Sequence, residues 1–208
     1  MKQTPPFATR IGLLAACMVP LLYFGAQLAA APFFPGYSFL THSASMLGSD
    51  RSTLPQVLNT GAFLTGAAAL MAAFGMNIAL KALGAQTILR WLVTLAVASM
   101  GVSAIWASLF HLPDPRHNPG VLGAGIFLVP FVFPAALWRL SGVRRIRLYL
   151  IGNLLVFAGL ACIMSGLTGI DLAHFGGLLQ RCLAAVTYVP VGVVGWFLFS
   201  RIRRSGEP

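Results

Sequence analysis

The sequence predicts an all-α fold, a polytopic membrane bundle of six transmembrane helices that forms one domain over residues 1–208. Three observations predict it. Of 208 residues, 58% are hydrophobic and only 9% are charged, against roughly 45–50% and 25% in an ordinary soluble domain. Six apolar runs are each long enough to cross a hydrocarbon core of about 30 Å at about 1.5 Å per residue. Lys and Arg are abundant in alternate connections and sparse in the others, as in a chain that weaves through a bilayer.

The first run, Ile11 to Ala31, follows Lys2 and Arg10. It exceeds the roughly 7–15 apolar residues of a secretory signal, and the small residues Ala29 and Ala31 lead directly into Pro32, so it is read as a retained helix. Runs from Gln56 to Leu80, Trp91 to Phe110, Val121 to Leu140, Leu148 to Thr168 and Leu178 to Ser200 supply the other five. Small residues such as Ala62, Gly66 and Ala69, or Ala98 and Gly101, let helix backbones approach, while Gln27, Asn77, Asn153, Ser99, Ser103 and Ser108 can bond across helix contacts. Pro20, Pro130, Pro134 and Pro190 are expected kinks. Cys17, Cys162 and Cys182 are odd in number and lack C-x-x-C spacing, so they are read as packing residues.

One side of the membrane collects Lys2, Arg10, Lys81, Arg90, Arg139, Arg144, Arg145, Arg147, Arg201, Arg203 and Arg204, leaving Arg51, Arg116 and Arg181 for the other. By the positive-inside rule both termini are cytoplasmic. Asp50, Asp114 and Asp171 balance the three outer arginines, so the whole net charge of +10 falls on the cytoplasmic side, against anionic lipid headgroups. A basic chain can also signal nucleic acid, but there is no soluble domain here on which to build a basic groove. No Asp, Glu, Lys, Arg or His sits in the middle of a run, which argues against a proton-coupled pump and against a haem held by axial histidines.

All four histidines, His42, His111, His117 and His174, fall on the outer side with the three aspartates. That surface is where acid, base or metal chemistry can assemble. In the first outer connection Ser38, His42, Ser45 and Ser49 recur at helical spacing, with Leu40, Ala44 and Leu47 on the opposite stripe. The pattern predicts a short amphipathic interfacial helix between Tyr37 and Ser49, its polar stripe toward the bundle mouth. In the second, the prolines exclude a regular helix, yet a rigid turn can aim His111, Asp114 and His117 at one ion. Three such ligands plus water is the open coordination of catalytic zinc, so one divalent metal such as zinc is a candidate cofactor. In the third, Asp171 and His174 share a face if helical, and Arg181 at the mouth of the last helix needs either a snorkelling route or a carboxylate, with Asp114 and Asp171 as the candidate partners.

Phe34-Pro-Gly-Tyr-Ser38, then Ser45-Met-Leu-Gly48, Asn59, Pro113-Asp114 with His117, and Gln180-Arg181 follow one another along nearly the whole chain. In this order they resemble the bacterial membrane family known as domain of unknown function 998. The resemblance implies six membrane helices in a bacterial inner membrane and points to Tyr37, Ser38, Ser45, Gly48, Asp114, His117 and Arg181. Phe39 stands where that family often has a histidine, and Met46 where it often has an acid.

Three functional readings stay open. In the first the chain is a hydrolase or transferase acting on a lipid or amphiphile at the outer leaflet. Asp114, His117, Ser45 and His42 are its candidate catalytic residues, with Ser45 or Ser43 as a nucleophile toward His117, and Tyr37, Ser38, Asp171, His174 and Arg181 shape the pocket. No Gly-x-Ser-x-Gly elbow accompanies either serine. The second reading is a small-molecule or lipid binder or transporter, and the third a structural membrane subunit.

Overall fold

The computed structural model describes residues 7–166, 169 and 174–206. The described residues form no strand; their long elements are six helices, each long and apolar enough to cross a membrane, the fourth together with the 3₁₀ turn Gly120–Gly123 that leads into it. They are α1 (Phe7–Ala30), α2 (Gln56–Ala82), α3 (Thr87–Leu109), α4 (Gly125–Leu137), α5 (Arg144–Met164) and α6 (Gly176–Gly206). Pro20, Pro130, Pro134 and Pro190 lie inside helices, where a bilayer tolerates them because neighbours can re-satisfy the freed backbone groups. The three cysteines are free thiols.

α2 packs along both α1 and α3, α1 closes on α6, and α3 continues the wall to α4. Close approach is built from glycine. A Cβ on Gly12 would lie 2.6 Å from the Met71 carbonyl oxygen, and one on Gly66 2.5 Å from that of Gly101. These are the places where hydrogen side chains bring helix backbones together, as the small-residue spacing of α2 and α3 predicts. Leu13, Val19, Met76, Val97, Met100, Phe133, Val191 and Leu198 fill the centre. α5 is peripheral. It buries Ile146, Leu150, Asn153 and Phe157 along one stripe and exposes Leu148, Leu155 and Val156. Asn153 pins it to α6 by donating to the Val186 carbonyl at 2.8 Å.

Helix bounds depart from the hydropathy runs by several residues, and α5 begins four residues earlier than Leu148. Arg144, Arg145 and Arg147 belong to its first turns, where long cationic side chains reach back to the polar boundary. Alternate passes gather the short turns after α2 and α4 at one end, with Lys81, Arg90, Arg139, Arg144, Arg145, Arg147 and Arg201. This is the basic end. The longer connections after α1, α3 and α5 lie at the other, the pocket end.

The first of these connections corrects one expectation. Between Tyr37 and Ser49 it holds a short helix, but only a single 3₁₀ turn, Ala44–Gly48, rather than a continuous amphipathic helix. Gly36 takes a left-handed φ of 71°, and the His42 Nδ1 accepts from the Ser38 N–H at 3.1 Å, folding the chain back before a helix can propagate. The apolar stripe divides accordingly. Leu47 is fully buried with Ala30, Phe34 and Leu58 in a small second core, while Leu40 is half exposed.

Candidate functional site

Between α1, α2, α3, α4 and α6 at the pocket end lies a cavity of about 450 Å³. Its mouth carries Ser43, Ser45, Asn59, His111, His117, Asn118 and Gln180. Ala26, Ala62, Ala104, Ala107, Leu58 and Ile126 line its wall, and Tyr23, Gln27, Thr65, Ser103 and Tyr188 lie deeper. Alanines make the volume possible, because four larger side chains at such positions would fill it.

Ser45 and His117, 72 residues apart, meet at this mouth, with Ser45 Oγ 3.0 Å from His117 Nε2. The ring's other nitrogen, Nδ1, lies 2.8 Å from the Phe110 carbonyl oxygen. A carbonyl can only accept, so in the neutral ring Nδ1 carries the proton and Nε2 is the acceptor, leaving Ser45 to donate its hydroxyl proton. A hydroxyl bonded to an imidazole whose far nitrogen is held by a third group is the nucleophile, base and orienter arrangement. Here the orienter is a main-chain carbonyl.

The serine is held from both sides. Gln180 Oε1 accepts from the Ala44 N–H at 2.8 Å, and Asn59 Nδ2 donates to the Gly48 carbonyl at 3.1 Å, so α6 and α2 fix the 3₁₀ turn at its two ends. A second tie comes from Arg181. Its guanidinium donates to the carbonyls of Phe39 (3.0 Å), His42 (2.9 Å) and Gly177 (2.7 Å) and to the Tyr37 hydroxyl. Tyr37 in turn donates to the Ser43 carbonyl at 3.0 Å, and burial pushes its phenol pKa up. Tyr37, Ser38, His42 and Arg181 therefore build the strap that carries Ser45 and do not line the cavity.

The second connection differs from what was expected of it. Asp114 caps the 3₁₀ turn Pro115–His117 by accepting from the Arg116 N–H at 2.8 Å, and it forms a two-point pair with the Arg116 side chain at 3.1 and 2.7 Å. The guanidinium holds the Asp114 carboxyl well below the usual range, at about 2. Arg116 also covers the Phe110 ring at 4.2 Å, and Trp106 Nε1 donates to the Arg116 carbonyl at 2.7 Å. Arg181 thus finds carbonyls rather than Asp114, because an arginine two residues along already occupies both carboxylate oxygens.

The metal set of His111, Asp114 and His117 is not assembled either. Among the described residues no three His, Cys, Asp or Glu side chains gather as ligands. Both His117 nitrogens and both Asp114 oxygens are engaged, and His111 Nδ1 faces its neighbour, the Leu112 carbonyl, at 3.2 Å. The donors present do not fit a zinc ion. His174 is exposed in the turn before α6, away from the cavity. Asp171 lies outside the described residues.

Sequence reasoning did not identify the Phe110 carbonyl or Tyr188 as part of the site, and it assigned Gln27 and Ser103 to helix packing. A main-chain acceptor leaves no trace in side-chain pattern. A tyrosine in a long apolar run reads as one more membrane residue.

A family model described as protein of unknown function (DUF998) matches residues 17–197. No curated protein and no solved structure matches the chain.

Proposed function

The chain belongs to the DUF998 family of membrane proteins of unknown function, and from that premise we propose that it is a serine hydrolase or acyltransferase acting on an ester-bearing amphiphile at one membrane face. The observation that carries this is the Ser45–His117 pair, oriented by the Phe110 carbonyl and opening on the cavity. In the reaction His117 Nε2 takes the Ser45 proton as Oγ attacks the ester carbonyl carbon. The tetrahedral intermediate collapses with cleavage of the ester C–O bond, and the imidazolium returns the proton to the departing alkoxide. A water or a second alcohol, deprotonated by the same ring, then releases the acyl group from Ser45. Asn118 and Gln180 have their amide oxygens engaged by Gly120 N–H and Ala44 N–H, so their NH2 groups are the donors available to the oxyanion.

The excess of Lys and Arg at the basic end supports an inner-membrane orientation with both termini in the cytoplasm. On that reading the site faces the outer leaflet, and anionic headgroups sit against the basic end. The amphiphile reading rests on the alanine-lined wall below the serine. The test is hydrolysis of medium-chain p-nitrophenyl esters by protein purified in mild detergent. Wild type should turn them over, and Ser45→Ala should lose at least about 100-fold in rate with its thermal midpoint retained. Equal rates in the two proteins would make the Ser45–His117 bond a structural tie.

A further inference from the structure

Buried polar side chains are hydrogen-bonded in nearly all proteins, and those that are not mark a missing partner. Gln27 Oε1 is such a group, and two hydroxyls that open on the same cavity join it at depth. Ser103 and Tyr188 are 7% and 5% exposed, and neither hydroxyl has a hydrogen-bond partner among the described residues. Gln27 is 2% exposed, and while its Nε2 donates to the Tyr23 carbonyl at 3.1 Å, its Oε1 has no partner. Depth follows from helix geometry. Ser103 lies six residues before the end of α3 at Leu109, and Tyr188 eight after Gln180 along α6, about 9 and about 12 Å below the mouth at about 1.5 Å per residue. Between the polar mouth and these groups the wall is apolar and narrow-chained, with Ala62, Ala104 and Ala107.

We infer that the cavity binds an acyl chain bearing a hydroxyl group far from its ester, with Gln27, Ser103 and Tyr188 as the hydroxyl's recognition site. A hydroxyl is the group that fits this donor and acceptor set. It can give its proton to Gln27 Oε1 and accept from Ser103 Oγ or Tyr188 Oη, whereas a plain hydrocarbon tail would leave all three unpaired. The alanine wall accommodates the methylenes between the two polar ends. A site built to bond a hydroxyl rejects the analogue that lacks it, because the protein groups are then stranded.

This inference rests on the ester-hydrolase reading for the ligand's other end, and its test is separated from that reading by measuring binding alone. Ser45→Ala protein in detergent is titrated with methyl ω-hydroxydecanoate and with methyl decanoate, following displacement of a fluorescent fatty-acid probe. The hydroxylated ester should bind about tenfold tighter, and adding Ser103→Ala and Tyr188→Phe should remove that preference while leaving the plain ester's affinity unchanged. Both substitutions delete hydroxyls that make no hydrogen bond among the described residues, so the fold should persist, and Tyr188→Phe alone serves if the combination does not fold. Equal affinity for the two esters, or binding of neither, would overturn the inference and leave a floor occupied by water. Turnover of plain p-nitrophenyl esters by wild type would be untouched by that failure. Loss of turnover with the preference intact would overturn the hydrolase reading alone.

Discussion

At the basic end Arg147 donates to the carbonyls of Trp138 and Leu140, in the turn that introduces its own helix, and Arg201 donates to Ser141 in that same turn. At the pocket end Arg181 reaches Phe39 and His42, 142 and 139 residues away in sequence, and no carboxylate accompanies it among the described residues. The same side chain serves two purposes. Where cations face water and headgroups they gather on the carbonyls of one turn and anchor the chain. Where a guanidinium is enclosed by three carbonyls and a phenol, its two terminal nitrogens tie a distant loop to the helix that carries it. What that loop carries is Ser45. The contrast teaches that precision in this bundle is concentrated at one end, around a serine whose backbone is held by α6 and α2 and whose hydroxyl is held by His117.

The largest effect expected from breaking this contrast is on activity. His117→Ala should lower ester turnover by about 10²–10⁴-fold, the usual worth of a positioned general base, while the thermal midpoint in detergent changes little. The rate and the melting curve of one preparation check both halves of that statement. Arg181→Met comes next. It removes the arginine donors from the Phe39 and His42 carbonyls and the Tyr37 hydroxyl and should cost about 2–3 kcal/mol, read as a fall in thermal midpoint accompanied by loss of turnover. The matching change at the basic end, Arg201→Met, should stay within about 1 kcal/mol and leave turnover intact. Equal losses at the two ends would erase the distinction.

The smallest effect belongs to Asp114. Its carboxyl titrates near 2 in the fold against an ordinary value of 3.8. Its contribution to stability is therefore complete above the ordinary value and fades as pH falls through that value toward about 2. Asp114→Asn should flatten the dependence of the thermal midpoint on pH within that acidic window and leave it unchanged near neutrality. The effect is small because the pair is solvent-exposed.

The six spans were legible because each is an uninterrupted physical signal, an apolar length matched to a bilayer, and α2 begins at Gln56 as the hydropathy run does. α5 was legible only in part. Counting apolar residues assigns Arg144, Arg145 and Arg147 to a loop, although their stems lie along the helix. The site was less legible still. Ser45 and His117 were both visible as candidates, but a bond across 72 residues is a product of helix packing and leaves no periodicity. Asp114 and the two nearby histidines suggested a metal because spacing alone does not reveal that Arg116 closes on the carboxylate within the same turn. Ser38 and His42 matched a helical stripe for the converse reason, since a side chain that accepts a main-chain N–H can end a helix that the pattern would continue.

The central claim is that Ser45 is a nucleophile activated by His117, and the most direct measurement is covalent labelling. Protein in mild detergent is treated with a fluorophosphonate, and the modified residue is located by mass spectrometry. Modification is expected at Ser45 in wild type and not in Ser45→Ala, with at least about a tenfold slower reaction in folded His117→Ala. A wild-type protein that remains unlabelled at Ser45, or a His117→Ala variant labelled there as fast as wild type, would contradict it.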